Sequence, residues 1–102
     1  MAETPVIRHV AVVNEYGIHA RSAVLIAGLA RRLKAKIVLL AQDERAECTS
    51  VLQVLTLAMR RGTQVRIEAT GAEAETSAEV MAWLIGEGLK GIEDGELVEK
   101  PA

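Results

Sequence analysis

His19 and Arg21 stand two residues apart in the stretch NEYGIHARSA (14–23), and they are the pair in this chain best suited to group transfer. A neutral imidazole is a competent nucleophile. A guanidinium is a permanent positive fork that matches phosphate oxygens. An apolar pattern of helical period begins directly after His19, which places His19 at the helix N-cap. The first backbone N–H groups of that helix, from Ala20 through Ser22, then have no intrahelical partner. The helix dipole adds about half a positive charge at the same end. A helix start of this kind is a ready anion site. The chemistry this arrangement favours is a phosphoryl group carried on His19 and held by Ala20, Arg21 and Ser22. Gly17 lets the preceding loop bend as the ring requires.

Each of these residues also has a plainer reading. A histidine at a helix start is commonly no more than a polar cap. Arg21 has a solvated alternative, but a cation in the first turn opposes the dipole, so a nearby anion explains its place better. His9 lies mid-strand among apolar neighbours and reads as structural or solvated. Two histidines and one cysteine at unrelated positions make no metal cluster, and the chemistry at His19 requires neither metal nor organic cofactor. No second acid or base beside His19 is available to activate water, which argues against a stand-alone phosphatase.

The elements that must position this pair alternate along the chain. VIRHVAVV (6–13) reads as a strand with Val6, Arg8, Val10 and Val12 on one face. A loop over 14–17 leads to a helix over 20–33, whose buried stripe is Ala23, Ile26, Ala27, Ala30 and Leu33. Residues 36–41 form a second strand, 42–45 a turn, and 46–48 a short third strand. Thr49 or Ser50 caps a helix over 51–59, with Gly62 as its stop. QVRIEA (64–69) is a fourth strand that turns Val65, Ile67 and Ala69 inward. The last helix carries Ala74, Ala78, Met81, Ala82, Ile85 and Leu89 as its stripe, and Gly86, Gly88 and Gly91 weaken its end. The order β-α-β-β-α-β-α predicts an α+β fold, a four-stranded antiparallel sheet with three helices on one face. The opposite face would carry Ile7, Val13, Val38 and Leu40, more apolar than a solvated face needs. A single domain spans 1–92, and 93–102 is a polar, acidic tail.

Composition sets the outer limits. The chain has 102 residues, enough for one domain, and is 50% hydrophobic but only 2% aromatic, so the core must be aliphatic. A formal net charge of −2 argues against nucleic acid as the main partner. Cys48 is the only cysteine, which excludes an internal disulfide and suits a reducing compartment. No leader pattern or apolar run of membrane-spanning length is present, so a soluble cytoplasmic protein is expected, with no membrane partner.

Several motifs in matched order, GIHARSA (17–23), TSVLQVLTLAM (49–59), RGTQVRIEATG (61–71) and the final helix, resemble the HPr family over about residues 6–92. These are the small histidine phosphocarriers of the bacterial phosphoenolpyruvate-dependent phosphotransferase system, with an open-faced β-sandwich fold. By that resemblance His19 is the phosphorylated histidine, accepting at Nδ1, and Arg21 is the active-site arginine. Ser50 matches a serine that a dedicated kinase phosphorylates in some lineages, and Val51, Leu52 and Leu55 match partner-docking positions. The resemblance implies Enzyme I as donor, EIIA-type proteins as acceptors, no cofactor, and a monomer. RAECTSVL and RGTQVRIEATG look closer to the nitrogen-related NPr branch than to sugar-transport HPr.

Two positions depart from the family pattern. Ser22 stands where the family commonly has proline, which adds an N–H and a hydroxyl near the phosphoryl site. Gln53-Val54 puts recognition by a serine kinase in doubt. Ser50 is also a good plain N-cap. A different class of function therefore stays open: a regulatory docking module switched at Ser50 without obligatory phosphotransfer.

Overall fold

The computed structural model describes residues 4–93. Its elements are β1 (Val6–Ala11), α1 (Ala20–Arg32), β2 (Lys36–Ala41), β3 (Glu44–Glu47), α2 (Val51–Thr56), β4 (Gln64–Thr70), α3 (Ala74–Trp83), a π-helical stretch (Leu84–Gly88) and α4 (Leu89–Glu93). The last three run on without a break and form one long third helix. The four strands make one sheet in the order β1-β4-β2-β3, and every pairing is antiparallel. Residues 1–3 and 94–102, including nearly all of the expected tail, lie outside the described residues.

Strand alternation decides the two faces. Val10 pairs with Val65, and Ile67 sits between Arg8 and Leu39. Val65, Ile67 and Leu39 are buried under the helices together with Ala23, Ile26, Val54, Leu57, Met81, Ile85 and Leu89. Arg8 shares this inner face but lies toward its edge, where its guanidinium reaches Glu75 and Glu79 of α3 at 3.6 and 3.4 Å.

The outer face is less apolar in effect than the sequence suggests. Val38 is flanked across the sheet by Glu68 and Glu47. Those carboxylates pair with Arg66 at 2.8 Å, Lys36 at 3.4 Å and Arg45 at 3.7 Å. Val38 is nonetheless buried, which suits a position flanked by long charged side chains, whose stems can cover carbon while their heads reach water.

Three local expectations change. The β2–β3 turn contains only Gln42 and Asp43, with φ of 52° and 64°, and Ala41 pairs directly with Glu44. Both loop residues are left-handed, as a type I′ hairpin turn requires, although neither is glycine. Helix α2 stops at Thr56, well short of Gly62. Leu57 must turn into the core, Ala58 takes a left-handed φ of 50°, and Gln42 Nε2 donates to the carbonyls of Leu57 and Ala58 at 2.8 and 2.9 Å. A side chain brought in from another loop thus does the capping that Gly62 was expected to do. The third helix, finally, passes through its glycines instead of fraying at them. A Cβ at Gly86 would lie 2.6 Å from Val10 Cγ2, so glycine lets the helix lie close on β1.

Cys48 fills a core position at the end of the sheet and is fully buried. Burial, with the Glu47 charge adding to it, pushes its thiol up to about 12 from 9.0. The folded state therefore keeps a proton that the unfolded state loses first. This contribution to stability is complete below pH 9.0 and disappears as pH rises toward about 12. Melting curves of the parent should fall over that range, and those of Cys48→Ala should fall less. A thiol reagent such as Ellman's should label the parent only on unfolding.

Candidate functional site

The loop over 14–17 delivers the chain to α1 through one tight crossing. Gly17 has φ of 66° and packs so closely on the 59–60 backbone that a Cβ there would lie 2.5 Å from the Met59 carbonyl oxygen. Directly after it, the Ile18 N–H donates to Met59 O at 2.8 Å. His19 follows as the N-cap of α1 in extended conformation, as its sequence position implies.

The cap is built differently from the usual serine or aspartate cap. His19 and Ser22 stand as a capping box in which the ring lies toward the Ser22 backbone without making a full cap hydrogen bond. Ser22 Oγ accepts from the His19 N–H at 2.8 Å and donates to the His19 carbonyl at 3.1 Å. The Ser22 side chain is buried, and its hydroxyl is thereby occupied with the backbone of His19. The Ser22 N–H faces the imidazole, in line with those of Ala20 and Arg21, so it stands beside any group carried on the ring. Arg21 is exposed, and among the described residues no ion pair or side-chain hydrogen bond holds its guanidinium.

A pocket of about 230 Å³ opens at this helix start, lined by Tyr16, His19, Arg21, Ser22, Leu25, Leu89, Ile92 and Glu93. Its far wall belongs to the third helix, which sequence reading did not bring here. The π-helical stretch carries one extra residue in its turn, which rotates everything after it by about 100° relative to an uninterrupted α-helix. Leu89 is buried, and Glu93 reaches across to His19 Nε2 at 3.2 Å. The same Glu93 oxygen accepts from Asn14 Nδ2 at 2.9 Å. Asn14 is fully buried and also donates to the Gly17 carbonyl. Two acceptors facing one amide group determine which way the asparagine points.

The phosphorylation-site model of the phosphotransferase-system HPr component matches residues 6–87 of this chain. The chain belongs to the HPr family. It is 36% identical to the phosphocarrier protein NPr of Escherichia coli K12 over 78% of its own length and 89% of that protein. It is 30% identical to a phosphocarrier protein HPr of Pseudomonas putida, over 76% and 88%. A crystal structure of a phosphocarrier protein HPr from Bacillus anthracis superposes with a TM-score of 0.77 at 26% identity, covering 81% of this chain and 99% of that one. The open-faced antiparallel sheet with its three helices is the HPr fold, and the chain is a phosphocarrier of the phosphotransferase system.

For an HPr protein of this build, the three expected docking residues are unequal. Leu52 is 77% exposed, whereas Val51 and Leu55 are half-buried and pack against the core. A two-turn helix lying on the sheet cannot present all three to solvent, because Val54 and Leu57 occupy its inner side. The apolar surface continues instead on residues the sequence did not single out. Tyr16 is 76% exposed in the loop, and Val24 and Leu25 stand out from α1 at 56% and 38%. Val24 and Leu25 occupy the positions between the buried Ala23 and Ile26, so the same helical period that found the core also marks them as its complement.

Ser50 caps α2: its Oγ accepts from the Gln53 N–H at 3.2 Å. Gln53 reaches back to the Glu47 N–H at 2.8 Å, so the cap and the β3 end are tied together. Ser50→Ala should cost about 1 kcal/mol, read as a lower urea midpoint with unchanged slope. His9, by contrast, is exposed on the outer face of the sheet, remote in register from the His19 pocket.

Proposed function

We propose that the chain accepts a phosphoryl group from phosphorylated Enzyme I on His19 Nδ1 and passes it to an EIIA-type acceptor. The observation that carries this reading is the meeting in one open pocket of His19, the N–H groups at the start of α1 and an Arg21 guanidinium that no ion pair holds among the described residues. In the transfer, the Nδ1 lone pair forms the N–P bond while the bond from phosphorus to the donor breaks, its electron pair leaving with the donor. The Ala20 and Ser22 N–H groups and Arg21 hold the phosphoryl oxygens, whose charge is what a phosphoryl-transfer site chiefly has to stabilise. The return step is the same displacement run toward the acceptor. Each half-reaction needs a partner's active site, so the protein is a carrier and not a free-standing enzyme.

Tyr16, Val24, Leu25 and Leu52, with the half-buried Val51 and Leu55, supply the apolar contact that docks donor and acceptor around the pocket. Exposed Arg60 and Arg61, which follow α2 in the chain, would steer an acidic partner. NPr relatives stand at 30–36% identity and HPr relatives at 26–32%, a small margin that supports the nitrogen-related branch for the output.

Mixing the protein with phosphoenolpyruvate, Mg²⁺ and Enzyme I proteins of both branches tests the reading by intact mass. An acid-labile gain of about 80 Da, one phosphoryl group, is the expected result. No adduct with any Enzyme I tried, under conditions that phosphorylate a control HPr, would remove the carrier role. Chasing the adduct with EIIA-type proteins of the sugar and nitrogen branches then reads the output from whichever drains it faster.

A further inference from the structure

The pocket contains a carboxylate that the phosphoryl-binding groups do not account for. Glu93 sits at the end of the third helix, beyond the residues matched by the family, and its side chain is only 22% exposed. It touches neither Arg21 nor the N–H groups of α1 among the described contacts. One of its two oxygens, Oε1, instead receives both donors, Asn14 Nδ2 at 2.9 Å and His19 Nε2 at 3.2 Å. A carboxylate has no proton to give at neutral pH, so the ring nitrogen facing it must carry one.

We infer that Glu93 is a positioning residue for phosphoryl transfer, holding His19 in the Nε2–H tautomer through the Glu93 Oε1···His19 Nε2 contact. The inference rests on the carrier reading for its consequence but not for its geometry. In that tautomer Nδ1 has the free lone pair; with Nε2 on Glu93, the side of the ring that faces the Ser22 backbone is the Nδ1 side. The buried Asn14, itself held on the Gly17 carbonyl, ties the carboxylate to the same loop that sets the ring. When Nδ1 attacks phosphorus, the proton on Nε2 stays where it is and the ring gains positive character. The facing carboxylate stabilises that charge, as carboxylates do for histidine in acyl transfer. A carboxylate behind the ring and a guanidinium before it give the two sides of the imidazole opposite tasks.

Two variants and two readouts test this. In ¹⁵N-histidine-labelled protein at about pH 9, where ordinary imidazoles are neutral, long-range ¹H–¹⁵N spectra report the tautomer of each ring, with His9 as internal reference. The parent should show His19 as Nε2–H. Glu93→Ala should raise the Nδ1–H form of His19 about two- to threefold relative to Nε2–H, the scale of losing one partly solvated charge-assisted contact, and leave His9 unchanged. Glu93→Gln, whose Oε1 still accepts, should keep the parent tautomer. Uptake from phosphorylated Enzyme I should slow roughly three- to tenfold in kcat for Glu93→Ala with KM for Enzyme I unchanged, and Glu93→Gln should recover most of it.

A parental tautomer ratio in Glu93→Ala overturns the inference, whatever the rate does. So does a rise in KM alone, which would make Glu93 a docking residue. If the parent itself takes up no phosphoryl group, the carrier reading fails, while the tautomer spectra still decide whether Glu93 sets the ring.

Discussion

His19→Ala should take up no phosphoryl group from Enzyme I and should melt within a few degrees of the parent. The two halves of this expectation come from the same geometry. The histidine ring is 41% exposed and makes no full cap hydrogen bond to the backbone. The N-terminal turn of α1 is held instead by backbone and serine: Ala23 N–H donates to the His19 carbonyl at 2.8 Å, and Ser22 Oγ takes the His19 N–H. Alanine keeps both of those bonds. The ring's contact with Glu93 is partly solvated, and Asn14 still satisfies that carboxylate when the ring is gone, so the stability change should stay within about 0.5 kcal/mol. Transfer has no such substitute. His9 is the one other histidine, and it lies on the outer face of the sheet with neither a helix start nor a free arginine arranged around it. The intact mass of His19→Ala after incubation should therefore show the unmodified chain alone. An adduct of about 80 Da persisting in that variant would place the phosphoryl group elsewhere.

The largest effect on the fold should come from a residue with no side chain. Gly17→Ala places a methyl group 2.5 Å from Met59 O and 2.9 Å from Arg60 Cα, both backbone atoms that cannot swing aside. It also asks alanine to hold φ of 66°, a left-handed conformation that costs about 1–2 kcal/mol by itself. The crossing cannot simply open, because the Ile18 N–H to Met59 O bond lies next to it and Val12 bonds back to the 62–63 loop on the other side. A loss of roughly 3 kcal/mol or more follows, a large share of the stability of a domain this size. In a melt that is a fall of about 10–20 °C. Phosphoryl uptake should drop as well, since the same loop carries Asn14 and aims His19. A near-parental melting temperature would show that the 59–60 backbone yields more easily than the packing indicates.

Gly17 and His19 also show which parts of this protein could be read before folding. Element order, the faces of the strands and the stripe Ala23, Ile26, Ala27 and Ala30 of α1 were legible because each depends on the period of a single segment, 2.0 or 3.6, and on local burial. The N-cap place of His19 was legible for the same reason, and so were the HPr-like motifs. The end of α2 was not. Gly62 looked like the stop, but the helix ended where Leu57 had to enter the core and where Gln42, fifteen residues earlier, supplied the cap. The exposed Tyr16, Val24 and Leu25 became a surface only when α1, the loop before it and α2 came together.

The sequence by itself thus determined an α+β chain with an aliphatic core, a histidine at the start of a helix, and an arginine in position to meet an anion there. Those are properties of neighbours along the backbone, where 3.6-residue periodicity and the unpaired N–H groups of a helix start act at short range. Only the tertiary structure decided what stands on the other side of His19. Glu93 lies 74 residues away and was read as the first residue of an acidic tail. It reaches the ring because the third helix continues past its glycines, turns by one extra residue between Leu84 and Gly88, and rests Leu89 in the core. A rotation made within one wide helical turn, and a close approach of Gly86 to Val10, leave no mark in the residues next to Glu93.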